Sequence, residues 1–206
     1  NEILEAARRG ARSAVESGTV LVGDISNTLV TPPVLRHVGL SGVVFHELLG
    51  FNTVDPVLVV KQAMERVEDA RALLASHQGD QLTPPSEIVL TLSAHAPYSV
   101  SPALFAEIAR RSSGQLLTVH LAESAEEVEF LRTGSGPFRD LLESLRVWHS
   151  GWSVPACDPV TYLERCHYLS PTLLAVHGVS LSDAGIDKLA RHLRDAGVGL
   201  SGYCRG

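Results

Sequence analysis

The segment Thr118-Val119-His120-Leu121-Ala122-Glu123-Ser124 sets an imidazole at the end of a short apolar run and a carboxylate three residues beyond it. An imidazole can hold a divalent metal, and a nearby Glu can carry protons to and from water that such a metal acidifies. Leu173-Leu174-Ala175-Val176 likewise ends on His177, and Ile88-Val89-Leu90-Thr91-Leu92 runs into Ser93-Ala94-His95. Apolar runs of this length, bounded by polar residues, read as buried strands. Three strand ends carrying histidine suggest one mouth of a β/α barrel, where chemistry gathers at the C-terminal ends of the strands.

Each candidate has a plainer explanation beside it. A structural or surface role is the default for His37, His77, His149, His167 and His192, two of which (His167 and His192) fall in helical stretches. For His95, His120 and His177 the plain reading is an imidazole satisfied by backbone carbonyls. Glu123 could serve only to favour the N-terminal dipole of the helix that starts at Ser124. Glu126, Glu127 and Glu129 already load that helix with acid, however, which leaves Glu123 available for general acid/base work. His46-Glu47, at the end of Gly42-Val43-Val44-Phe45, either contacts substrate or closes the rim. Asp24 reads as structural, holding its adjoining loop through a side-chain hydrogen bond.

The elements that must position these groups can be read from periodicity. Ile3, Ala6, Ala7, Ala11 and Val15 give residues 2–17 one apolar side, and Gly18 stops that helix. A strand at 19–22 and its loop come next, then a helix opened by Pro32 and Pro33 and a strand at 42–47. Helical spacing runs from 56 to about 76, and a Pro- and Gln-rich loop covers 77–87. Helices are expected at 102–111, 124–132, 137–147, 159–167 and 182–195, with strands at 88–92, 116–120, 173–177 and 197–203. Short apolar strands alternating with amphipathic helices imply parallel pairing through right-handed crossovers. This makes about six β/α units, against the eight that close a TIM-type (β/α)8 barrel of ~250 residues. An open doubly wound sheet competes, but no G-x-G-x-x-G follows the first strand.

Composition narrows the function classes. The net charge of -6 in 206 residues, with Lys61 and Lys188 the only lysines and no basic stripe, argues against nucleic acid or an anionic membrane as partner. No apolar run reaches the ~18 residues that span a bilayer. Cys157, Cys166 and Cys204 form no C-x-x-C and are odd in number, as expected of free thiols in a cytoplasmic protein. The acidic, helical start Asn1-Glu2-Ile3-Leu4-Glu5 does not read as a secretory signal.

Taken in order, these segments resemble the metal-dependent amidohydrolase superfamily. The branch they are most similar to contains the cytosine, guanine and S-adenosylhomocysteine deaminases and the triazine chlorohydrolases. The residues responsible are 18–27, Val44-Phe45-His46-Glu47, Ser93-Ala94-His95-Ala96-Pro97-Tyr98-Ser99-Val100-Ser101-Pro102, His120-Leu121-Ala122-Glu123-Ser124 with Glu126-Glu127, and Leu174-Ala175-Val176-His177-Gly178-Val179 followed by Leu181-Ser182-Asp183. The resemblance implies that His120 binds one divalent metal, zinc or alternatively iron, in the cytoplasm. It implies that Glu123 is the general acid/base, that His177 contacts the attacking hydroxide or the substrate, and that His95 touches the substrate; His46 and Glu47 are carried beside them as candidate substrate contacts from their strand-end position alone. The implied reaction is hydrolytic deamination of an aminated heterocycle or nucleoside-like small molecule by a metal-bound hydroxide. Chlorohydrolase or cyclic-amide chemistry at the same site is the alternative, and so is a non-catalytic paralogue acting as a binding module. The family also takes metal ligands from an H-x-H on its first strand and an Asp on its eighth, and no H-x-H occurs among these 206 residues. The chain is therefore expected to be the central part of a single barrel domain, about units two to seven. The first and last units and the family's small β-sandwich are expected to lie outside it, and a homodimer is expected of the complete protein.

Overall fold

Proline and short polar side chains mark most of the helix starts, and the strands between them pair in parallel. The structure, a computed structural model, describes residues 2–76 and 86–195. It divides into two compact units, Asn1–Leu48 with Lys61–Ser93, and Leu49–Val60 with Ala94–Gly206.

The first unit contains α1 (Glu2–Glu16), β1 (Leu21–Ser26), α2 (Thr31–His37) and β2 (Ser41–Leu48). It also holds most of α3 (Pro56–Ser76) and most of β3 (Ile88–Ala94). β1, β2 and β3 form one sheet in that order, with β1 parallel to β2 from Leu21↔Ser41 to Ser26↔His46. In β2, Val44, Phe45 and His46 are almost wholly buried in succession, so both faces of the strand are covered, as expected of a parallel sheet. Gly42 is required by the pairing, because a Cβ there would lie 2.3 Å from the Val22 carbonyl oxygen. The sequence places the first strand at 19–22 and a loop from Gly23; the strand instead runs through Gly23-Asp24 to Ser26. Cross-strand pairing with β2 overrides the local turn preference of Gly and Asp there. Asp24 does anchor the start of α2, since the Thr31 hydroxyl donates to its Oδ2.

The second unit contains α4 (Pro102–Arg111), β4 (Leu117–Leu121), α5 (Ala125–Thr133), α6 (Pro137–Ser144), α7 (Pro159–Arg165), β5 (Leu173–His177) and α8 (Asp183–Asp195). β4 and β5 pair in parallel, with His120 opposite Val176 and Leu121 opposite His177. Ser101 caps α4 by accepting from the Leu104 N–H at 3.3 Å, and Asp158 caps α7 by accepting from the Thr161 N–H at 3.0 Å. A proline comes directly after each cap, at the first helical position, where its missing N–H costs nothing. Leu104, Phe105, Ile108, Val119, Leu121, Phe130, Leu131, Val160, Leu163 and Tyr168 are fully buried and form the core. Each such side chain contributes roughly 1.5–3 kcal/mol on leaving water. The irregular stretch at 147–157 adds an aromatic cluster in which Trp148 stacks on Phe51 and Trp152 on Phe130, with the remaining ring pairs tilted or edge-on.

The architecture is α/β with parallel strands, as the sequence implies. The last expected strand, 197–203, and most of the 77–87 loop lie outside the described residues. No described helix is long and apolar enough to cross a membrane. Cys157 and Cys166 are buried free thiols.

Candidate active site

Four of the residues singled out from the sequence converge in the second unit, at the C-terminal ends of β4 and β5. His120 occupies the penultimate position of β4, and His177 is the last residue of β5. His177 leaves the strand with φ +74°, a left-handed conformation, and its ring turns toward its neighbour. The Nδ1 of His120 lies 3.1 Å from Nε2 of His177. Two imidazole nitrogens at that distance either share one proton or aim their lone pairs at a common electrophile.

Glu123 lies just past the kink at Ala122, which has φ +50°. Its half-exposed carboxylate reaches to 3.6 Å from His177 Nε2. His95 stands just past β3, and its carbonyl accepts the His120 N–H at 2.8 Å. The two rings are 5.2 Å apart, and one ring nitrogen of each falls within 4.8 Å of the other. Ser99 Oγ sits 2.6 Å from His95 Nδ1 and 3.2 Å from the Ala96 carbonyl oxygen. The Ser99 hydroxyl thus stands between the His95 ring and the Ala96 carbonyl and holds the ring in place. Tyr98 meets the His95 ring edge-on and stacks against Phe138 at 3.8 Å, walling that side.

This donor set suits a borderline cation. Zinc takes imidazole nitrogens at about 2.0–2.1 Å in a tetrahedron, whose edge is then about 3.3 Å. The 3.1 Å between His120 Nδ1 and His177 Nε2 is close to that edge. The imidazole of His120 and its neighbouring imidazoles therefore offer the donor chemistry that a divalent metal of the zinc type takes.

His46 and Glu47 belong to the first unit and are built into it. His46 is 2% exposed and donates from Nδ1 to the Ser26 carbonyl at 3.1 Å. Its Nε2 is buried without a hydrogen-bond partner. Burial pushes its pKa down, the Ser26 bond pushes back, and the Arg66 cation adds to the lowering, so the ring is held neutral. Glu47 accepts a hydrogen bond from Asn27 Nδ2 at 3.1 Å.

Three contributors escape a reading of the sequence. Glu127 is completely buried and accepts from the Ala122 N–H at 2.9 Å and the Glu123 N–H at 3.0 Å. Burial drives its pKa up to about 7, against the two N–H bonds that favour the anion. Tyr168 is equally buried; its hydroxyl accepts from the Ala94 N–H and donates to the Thr118 carbonyl, tying the approaches to His95 and His120 together. Ser99 is the third. Ser99 and Glu127 fall inside segments that carry the resemblance, and Glu127 also has the Ser124-x-x-Glu127 spacing of a capping box, but neither takes a role from the sequence alone.

Comparison with known proteins finds sequence relatives among curated deaminases, and the same fold in solved deaminases and triazine hydrolases. No family model matches the sequence. The aminodeoxyfutalosine deaminase of Deinococcus radiodurans is 28% identical over 199 residues, which covers 91% of this chain and 45% of that protein. The fold is that of Helicobacter pylori aminofutalosine deaminase, solved with methylthio-coformycin: TM-score 0.72, 23% identity, covering 91% of this chain and 43% of that one. A mutant atrazine chlorohydrolase of Arthrobacter aurescens, solved with zinc and atraton, aligns at TM-score 0.58 and 14% identity, covering 95% of this chain and 48% of that one. The chain thus spans less than half the length of these relatives.

Proposed function

We propose that this chain is the central part of a metal-dependent barrel hydrolase, and that the whole protein hydrolytically deaminates a nucleoside-like aminated heterocycle. The observation that carries the proposal is the grouping of His95, His120, His177 and Glu123 at the ends of parallel strands. The aminodeoxyfutalosine deaminase likeness points to the substrate class. Zinc is the expected metal, supported by the imidazole spacing and by the zinc in the chlorohydrolase of the same fold. His120 would hold it, with His177 adjoining. When bound, the ion lowers the pKa of water and so supplies a nucleophile at neutral pH.

The residues of this chain do the rest. Glu123 takes a proton from water and delivers it to the ring nitrogen beside the amino-bearing carbon. It then moves the proton of the hydroxyl now bonded to that carbon onto the amine, so that one C–O bond forms, one C–N bond breaks and ammonia leaves. His177, which adjoins His120, is assigned to orient the attacking oxygen. His95, His46 and Glu47 are assigned to substrate binding. We take the complete protein to be a cytoplasmic homodimer.

Ammonia release from adenosine and 5′-deoxyadenosine by the zinc-loaded full-length protein tests this reading. Turnover should fall about 10²–10⁴-fold in Glu123→Gln. His120→Ala should lose its zinc, read by elemental analysis. Chloride release from atrazine without ammonia release would favour the chlorohydrolase alternative. Full activity in Glu123→Gln would overturn the assignment.

A further inference from the structure

The buried carboxylate of Glu127 asks for more explanation than a helix cap provides. In a capping box the Glu at the third helical position reaches back to the N-cap N–H. Here the N-cap residue, Ser124, makes no side-chain cap bond. Glu127 passes over it and takes the N–H groups of the two residues before it, Ala122 with Oε1 at 2.9 Å and Glu123 with Oε2 at 3.0 Å. Exposed Glu126, in the same first turn, already supplies charge to the helix dipole. A fully buried carboxylate is the costlier choice, so it answers a geometric need.

That need lies at Ala122. This residue holds φ +50° with a Cβ, a conformation that persists only where its surroundings fix it. Its N–H is held by Glu127 and its carbonyl by the Ser180 N–H at 2.8 Å. The preceding carbonyl, of Leu121, accepts the Gly178 N–H at 2.9 Å. The turn bearing Glu123 and the turn after His177 are therefore bonded to each other, and Glu127 anchors the pair from beneath.

We propose that Glu127 is a positioning residue, whose two carboxylate oxygens clamp the Ala122–Glu123 turn and so set the Glu123 carboxylate against His177. This rests on the reading of Glu123 as the acid/base. Side chains misplaced by an ångström can cost about 100-fold in rate without any loss of substrate binding. Glu127→Gln keeps the shape but turns an NH2 toward one of the two N–H groups, so one bond is lost.

The test uses the zinc-loaded full-length protein with adenosine as the probe, together with hydrogen–deuterium exchange of the amides at 121–124 and 177–180. In Glu127→Gln, kcat should fall about 100-fold while KM stays within about twofold. Exchange at 121–124 should quicken while the α4 and α7 amides keep their protection. Added to Glu123→Gln, the substitution should cost nothing further, because it acts through that residue. Unchanged exchange at 121–124 overturns the clamp whether or not adenosine is turned over. Weakened stability with unchanged kcat per folded molecule overturns it too, since that is what a merely structural carboxylate would give. Should Glu127→Gln fail to fold, the same substitution in an Ala122→Gly background, where glycine holds the left-handed conformation without strain, should fold and keep the kcat deficit; a wild-type kcat there overturns the proposal. If Glu123→Gln retains activity, the function proposed above falls, and exchange alone then decides the clamp.

Discussion

Tyr168 shows how much of the site depends on residues that do no chemistry. It is wholly buried, packs edge-on against Phe105 at 4.9 Å, and joins the Ala94 N–H to the Thr118 carbonyl through one hydroxyl. Tyr168→Phe keeps the ring and strands both backbone groups, at about 1–3 kcal/mol for each left unsatisfied. The urea midpoint of the variant should drop accordingly, with no change in the slope of the transition. An unchanged midpoint would mean that water replaces the hydroxyl. The histidines at the strand ends were legible because residue type and position in an apolar run are local properties. Tyr168, Ser99 and Glu127 were not, since each acts on a partner that only the fold brings near. Tyr168 reaches 74 residues back to Ala94.

At the level of elements, the helix boundaries written by proline and short polar residues were legible, whereas boundaries set by pairing were not. Ser101-Pro102 and Asp158-Pro159 start their helices where the sequence places them. β1 runs four residues past its expected end, because β2 supplies partners that override Gly23 and Asp24. Gly134 tests the same idea at a helix end. It closes α5 in the left-handed conformation at φ +71°, and an added Cβ would lie 2.6 Å from Val154 Cγ2. Gly134→Ala therefore meets both backbone strain and a steric neighbour, and should cost about 1 kcal/mol or more. The loss should appear as a lower melting temperature, and trimming the neighbour with Val154→Ala should recover only the steric share. Full recovery would show that the left-handed backbone carries no cost there.

Across the whole chain, two buried groups respond to pH in opposite directions within one window. Glu127 is raised from the ordinary 4.5 to about 7, chiefly by burial, with the Glu123 charge adding to the rise and His120 opposing it. Its contribution is complete below the ordinary carboxylate value and is lost as pH climbs through about 7, on the order of 3 kcal/mol in all. His46 is shifted below the ordinary 6.5, again chiefly by burial, so its contribution is present above that value and is lost as pH falls through its folded pKa. Below about pH 7 the two slopes therefore oppose each other in the wild-type protein. Substitution separates them. Glu127→Gln removes the acid-favoured share and should leave a protein that weakens as pH falls. His46→Asn, whose Nδ2 can still donate to the Ser26 carbonyl, should leave one that weakens as pH rises. Denaturant midpoints at about pH 5 and about pH 8 for the three proteins decide the matter. Parallel profiles in wild type and both variants would mean that neither group changes its protonation on folding.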